Sequence, residues 1–97
     1  MALELTFINE LIYWRGPAPF YFVPVPAAES ALIKANAAAV SYGWGVIPAV
    51  CRSGDAEWST SLFPKNGGYL VPVKKSVWSL MKMELGQPVE IELTIDV

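Results

Sequence analysis

A small, mainly β domain with two short helices, rolled into a compact antiparallel barrel, is the fold class this sequence predicts. Three observations carry the prediction. Val89, Ile91, Leu93, Ile95 and Val97 alternate with Glu90, Glu92, Thr94 and Asp96, the period of two of a strand with one wet face. Lys65-Asn66-Gly67-Gly68 stands between two strand-like segments, and Asn-Gly is the strongest short hairpin signal because both residues tolerate positive φ. No parallel βαβ repeat and no duplication occurs, and the elements read β-β-α-β-β-β-α-β. Ninety-seven residues supply one core, so residues 1–97 form one domain.

Each element follows from its local pattern. Leu3 to Trp14 reads as one long strand, with Leu3, Leu5, Phe7, Asn9, Leu11 and Tyr13 on one face and Glu4, Thr6 and Glu10 on the other. Arg15-Gly16-Pro17-Ala18-Pro19 is a turn, and Phe20 to Val25 returns as the second strand of a hairpin. Pro26 to Val40 is alanine-rich and helical, with Pro26 at a first-turn position where its missing donor costs nothing. Two faces offer themselves for burial: Leu32, Ala35 and Ala39, or Ile33 and Ala37. After Gly43-Trp44-Gly45, Val46 to Arg52 is a strand whose Pro48 marks an edge or bulge. Ser53-Gly54-Asp55 turns the chain into a strand from Ala56 to Phe63. Tyr69 to Val73 is the return strand of the Asn-Gly hairpin. Lys74 to Met83 is a short helix with Val77, Leu80 and Met81 at helical spacing, and Gly86 ends it.

Composition narrows the function. The apolar share of 54% argues against disorder. A lone cysteine, Cys51, forms no internal disulfide, and Glu4 and Glu10 interrupt what a signal peptide would need, so a cytoplasmic protein without a membrane span is expected. The net charge of −2 hides an asymmetry: Lys65 to Lys82 holds four lysines and no acid, and Glu84 to Asp96 four acids and no base. A weakly acidic chain with one basic segment is not a general nucleic-acid binder, yet it has the means to hold a small anion.

Trp58-Ser59-Thr60-Ser61-Leu62-Phe63-Pro64, Gly67-Gly68-Tyr69-Leu70 and Pro72-Val73-Lys74-Lys75 resemble the signature of a small bacterial family of domains of unknown function, found alone or fused to OmpD-associated-type domains. Pro24-Val25-Pro26, Gly43-Trp44-Gly45 and the acidic last strand fit the same pattern. The resemblance implies a double-split β-barrel, related in architecture to the swapped-hairpin barrels of some bacterial transition-state regulators, and implies no established activity. Two positions depart from the family pattern. Trp78 stands where an arginine is usual, removing a strong anion-binding group, and Gly86-Gln87-Pro88 replaces a Gly-Asp turn.

The side chains permit little catalysis. Without histidine, neither Ser-His nor Cys-His activation is available, and one cysteine builds no zinc site, so no catalytic residue, metal or cofactor is assigned. Asp55 and Glu57 read as a solvated edge, and Cys51 as core filling. A serine among Ser59 to Ser61 activated by Lys74 or Lys75 remains a low-ranking alternative, because cross-strand hydroxyl pairing explains the same residues.

The expected function is therefore a non-enzymatic binding module. Its candidate ligand residues are Thr60, Ser61, Lys65, Tyr69, Lys74 and Lys75, with the lysines near a helix start that lacks a side-chain cap. The bland alternative is a basic edge paired with Glu90 and Glu92. Trp14, Trp44 and Trp78 are candidate interface residues, since four tryptophans exceed what so small a core hides, and they suit a protein partner or a homodimer as well as a monomer's ligand groove. A DNA-binding regulator of the swapped-hairpin type is the competing class, by fold analogy alone.

Overall fold

The computed structural model describes residues 2–15, 20–41, 43 and 45–97. The turn expected across residues 16–19 and the side chain of Trp44 lie outside the described residues. In chain order the elements are β1 (Ala2–Glu10), β2 (Ile12–Trp14), β3 (Phe20–Pro24), α1 (Ala27–Ala37), a 3-10 turn (Ala38–Val40), β4 (Ile47–Ser53), β5 (Ala56–Lys65), β6 (Gly68–Val73), α2 (Lys75–Leu80) and β7 (Pro88–Asp96). Among the described residues, the strands form one antiparallel sheet in the order β1-β7-β4-β5-β6-β3-β2, curled into a half-barrel. The mainly β, barrel-like class read from the sequence is the one observed.

The curl follows from connectivity. β1 and β2 are the two outermost strands of the sheet, yet a single residue, Leu11, separates them in sequence. Two virtual bonds of 3.80 Å put the Cα atoms of Glu10 and Ile12 within about 7.6 Å of each other. Only a sheet rolled until its edges approach can satisfy that. Leu11, 1% exposed, fills the junction; its N–H donates to the Gln87 carbonyl at 3.3 Å, and its carbonyl accepts from the Gly86 N–H at 3.0 Å. Nearby, Asn9 Nδ2 donates to the Pro24 carbonyl at 3.0 Å, tying β1 to β3 across the seam.

This junction corrects the expectation of one strand from Leu3 to Trp14. The alternation runs unbroken to Leu11, but the pairing partner changes: β1 lies along β7, and β2 pairs with β3 from Ile12↔Phe22 to Trp14↔Phe20. The expected β2–β3 hairpin is present. β5 makes the corner at the other side. Its residues Ala56 to Leu62 pair with β4, and Phe63 to Lys65 pair with β6.

The core lies inside the curl. Val89, Ile91, Leu93 and Ile95 of β7 are all buried, with Ile47, Ala49 and Cys51 of β4, Trp58 and Leu62 of β5, and Val71 and Val73 of β6. Each large aliphatic side chain so buried contributes about 1.5–3 kcal/mol. Trp58 satisfies its indole N–H on the Pro72 carbonyl at 2.9 Å. Of the two candidate faces of α1, the one carrying Ile33 and Ala37 is buried, while Leu32 stays 47% exposed. The helix begins at Ala27, one residue after the expected start, with Pro26 flanking it rather than in its first turn, and the Pro26 carbonyl accepts the Ser30 N–H at 2.8 Å.

The second helix is shorter than expected and does not end at Gly86. Ser79 O accepts from the Lys82 N–H at 3.2 Å, and Trp78 O from the Met83 N–H at 2.8 Å, while Lys82 takes φ +53°. That pair of bonds is a Schellman stop, which satisfies the last free carbonyls with a lysine in the left-handed position where glycine is usual. Gly86 serves the Leu11 junction instead.

Candidate functional site

The outward faces of the two ends of the sheet differ in chemistry. Across β1, β7 and β4 the residues pointing away from the core include Glu4, Thr6, Glu90, Glu92, Asp96 and Arg52, and Arg52 lies 3.9 Å from both Glu57 and Glu92. Across β2, β3 and the end of β5 they are Ile12, Trp14, Phe20, Phe22 and Phe63. The outward residues of β5 make the passage within one strand: Glu57, Ser59, Ser61, Phe63, Lys65.

Two hollows meet at Lys65. The β5–β6 turn is tight, with Lys65 opposite Gly68, Asn66 at φ +52° and Gly67 at φ +80°, the all-positive pair that a two-residue hairpin of this twist requires. The hairpin then seats α1. Gly68 leaves room for Ser30, whose Oγ a Cβ at position 68 would approach to 3.2 Å, and the buried Ser30 hydroxyl donates to the Val25 carbonyl at 3.1 Å. Between α1 and the hairpin lies a cleft of about 550 Å³, bordered by Lys34, Lys65, Asn66, Tyr69 and the backbone of Gly67 and Gly68, with no acidic side chain among its lining residues. On the other side of Lys65 is a groove of about 240 Å³ walled by Trp14, Phe20 and Phe63 over Phe22. The Lys65 ammonium sits 5.4 Å from the Trp14 ring centroid, within cation–π range.

Residues 7–93 match the family model described as Domain of unknown function (DUF1905). The chain belongs to this family. No curated protein and no solved structure matches it. This DUF1905 domain divides the residues singled out from the sequence into separate places. Lys65 and Tyr69 border the same cleft. Lys74 and Lys75 stand at the far end of the six-residue strand β6, roughly 20 Å of extended chain from the hairpin tip. Lys74 is the N-cap of α2 and makes no side-chain capping bond, as its sequence context implied, and its carbonyl accepts from Val77 and Trp78. Thr60 pairs with Ala49 and borders a shallow hollow with Pro48 and Asp96, and Ser61 pairs with Pro48. Neither Thr60 nor Ser61 lines the cleft at Lys65. Glu92 faces Arg52 rather than a lysine.

The tryptophans divide as well. Trp14 is 50% exposed at the edge of the sheet. Trp78 is half-buried, its ring 4.7 Å from Tyr21, which in turn packs at a tilt against Tyr13 at 5.1 Å. Trp44 lies outside the described residues. Cys51 is fully buried, and burial pushes its thiol up from 9.0 to about 12, so it stays protonated at neutral pH and is a poor nucleophile. Among the described residues, no cluster of three or more acids or thiols is placed to hold a metal ion, and no helix is long and apolar enough to cross a membrane.

Sequence reasoning missed Lys34 and the aromatic groove. Lys34 is the one cation of α1, and only the packing of that helix on the hairpin brings it to the cleft that Lys65 also borders. The groove had a visible trace: Ile12 and Trp14 continue the even face of Glu4, Thr6 and Glu10 with apolar side chains.

Proposed function

We propose that this DUF1905 domain is a non-enzymatic binding module for a small anionic molecule, held at the β5–β6 hairpin. The observation that carries the reading is the cleft between α1 and the hairpin, whose lining includes Lys34, Lys65 and Tyr69 and no acidic side chain. Two ammonium groups and a phenol on a rigid hairpin and helix give charge complementarity without needing the ligand to order a loop. Support for a binding rather than a catalytic role comes from the missing histidine and the protonated, buried Cys51. The acidic outward face of β1, β7 and β4 counts against duplex DNA as the partner, since it would repel phosphates.

The test is a thermal-shift series with inorganic phosphate and simple carboxylates on the wild-type domain and on Lys34→Ala and Lys65→Ala. A ligand present at 100 times its Kd stabilises by about 2.7 kcal/mol, a shift of roughly ten degrees for a domain of this size. Loss of the shift in both variants, with unchanged unliganded melting, is the expected result. A ligand shift that survives both substitutions, or one that needs only Lys74 and Lys75, removes the cleft from consideration.

A further inference from the structure

Among the described residues, Phe22 is the largest side chain buried to under 2% exposure, yet it lies apart from the main core. It faces outward from β3 and is covered by neighbouring rings: Trp14 at 6.3 Å, Phe20 at 5.9 Å and Phe63 edge-on at 6.1 Å between centroids. Those covering rings are themselves half-open, at 50%, 44% and 44% exposure. The result is an apolar slot with an aromatic floor and aromatic walls on the outside of the sheet.

Size and charge specify what fits. An engineered apolar cavity of about 150 Å³ accommodates benzene, and drug-sized sites begin near ~300 Å³. At about 240 Å³ the slot suits one ring or a fused pair. The lining carries one charged group, Lys65, and no acid. Among the described residues the ion pairs all involve Arg52, so no carboxylate lies within 4.0 Å of the Lys65 ammonium. Its neighbour is the Trp14 face, which attracts a cation far less than a carboxylate does.

We infer that the slot binds a planar aromatic carboxylate, its ring lying over Phe22 between Trp14 and Phe63 and its carboxylate paired with Lys65. This rests on the reading of Lys65 as an anion-binding residue and goes beyond it by naming the ligand class and a second set of contacts. Lys65 and Leu70 border both hollows, so the carboxylate end of such a ligand sits where the slot meets the cleft.

The experiment titrates the domain with benzoate and indole-3-acetate, with the uncharged analogue benzamide and with butyrate and phosphate as controls. Binding is followed by 1H-15N chemical-shift changes, and the oligomeric state is measured by light scattering. The variants are Trp14→Ala and Lys65→Met, with Lys34→Ala as the probe of the neighbouring cleft. The expected result is saturable shifts at Phe63, Lys65 and the Trp14 indole with the aromatic carboxylates. Trp14→Ala and Lys65→Met should each weaken binding about tenfold or more, and Lys34→Ala should weaken it less. Phosphate or butyrate binding through Lys65 as tightly as benzoate overturns this inference and leaves the anion-binding reading standing. Benzamide binding as tightly as benzoate overturns the assigned role of Lys65. Absence of binding by any anion overturns both readings, and a Trp14-dependent dimer that excludes aromatic ligands assigns the slot to a second copy of the chain instead.

Discussion

The two ends of this sheet bury the same kind of inner face and present opposite outer ones. On β7 the division is strict: Val89, Ile91, Leu93 and Ile95 go in, and Glu90, Glu92 and Asp96 go out. On β3 it fails, because Val23 is fully buried on the inside while Phe22 is 1% exposed on the outside. The first strand needs only water on its far face. The second has its outer face covered by rings borrowed from β2 and β5, which are themselves left partly open. A strand buried on both sides at the margin of a sheet shows where the molecule has invested apolar surface beyond what its core requires.

The largest effect should come from Phe22→Ala. Removing a buried phenylalanine costs about 3–5 kcal/mol, whereas Glu92→Ala on the other half should change stability by no more than about 0.5 kcal/mol. Chemical denaturation of the two variants measures the contrast directly, and equal costs would mean that the outer aromatic layer is not a packed structure. Next in size is the response of the polar half to alkali. The folded state holds the Cys51 thiol at about 12 against an ordinary 9.0, so the protonated form is favoured by folding. The associated stability is complete below pH 9 and is lost as pH climbs toward 12, by up to about 1.4 kcal/mol per pH unit. Unfolding curves across that window should fall more steeply for the wild type than for Cys51→Ala, which starts lower but lacks the titration. The smallest effect belongs to Arg52→Ala. Its two carboxylate partners stand at 3.9 Å and the groups are more than half exposed, so the loss should be under about 0.5 kcal/mol and should vanish in high salt.

How much of this was legible in the sequence depended on range. β7 and the Asn66-Gly67 turn were readable because each is decided by neighbouring residues: alternation in one case, positive φ in the other. The break at Leu11 was invisible to pattern, since the parity of apolar residues continues through it and only the partner strand changes. The end of α2 was missed because a lysine, not a glycine, takes the left-handed position at its stop. For the site, Lys65 and Tyr69 were found together because both lie in the short hairpin that borders the cleft, although the register pairs Lys65 with Gly68 and Tyr69 with Pro64 and so alternates their faces. Thr60 seemed near them in sequence, but β5 changes partners after Leu62 and leaves it on the side that pairs with β4. Lys34 belonged to the same cleft through a helix docked from elsewhere, and no local spacing encodes that.

The last strand in sequence is an inner strand of the sheet, lying between β1 and β4. During synthesis this arrangement sets an order in time. Until residues 88–96 leave the ribosome, β1 lacks the strand it pairs with among the described residues, and the β4 edge that will receive Thr94, Leu93 and Glu92 stays open. Ala2 must then find Asp96 across almost the whole chain, a closure whose entropy is spent before the contacts form. β1 thus waits for its pairing strand through the making of the strands and helices that lie between the two in sequence. Glu4 and Glu10, outward on the finished sheet, give that waiting strand the charge that discourages pairing with another chain.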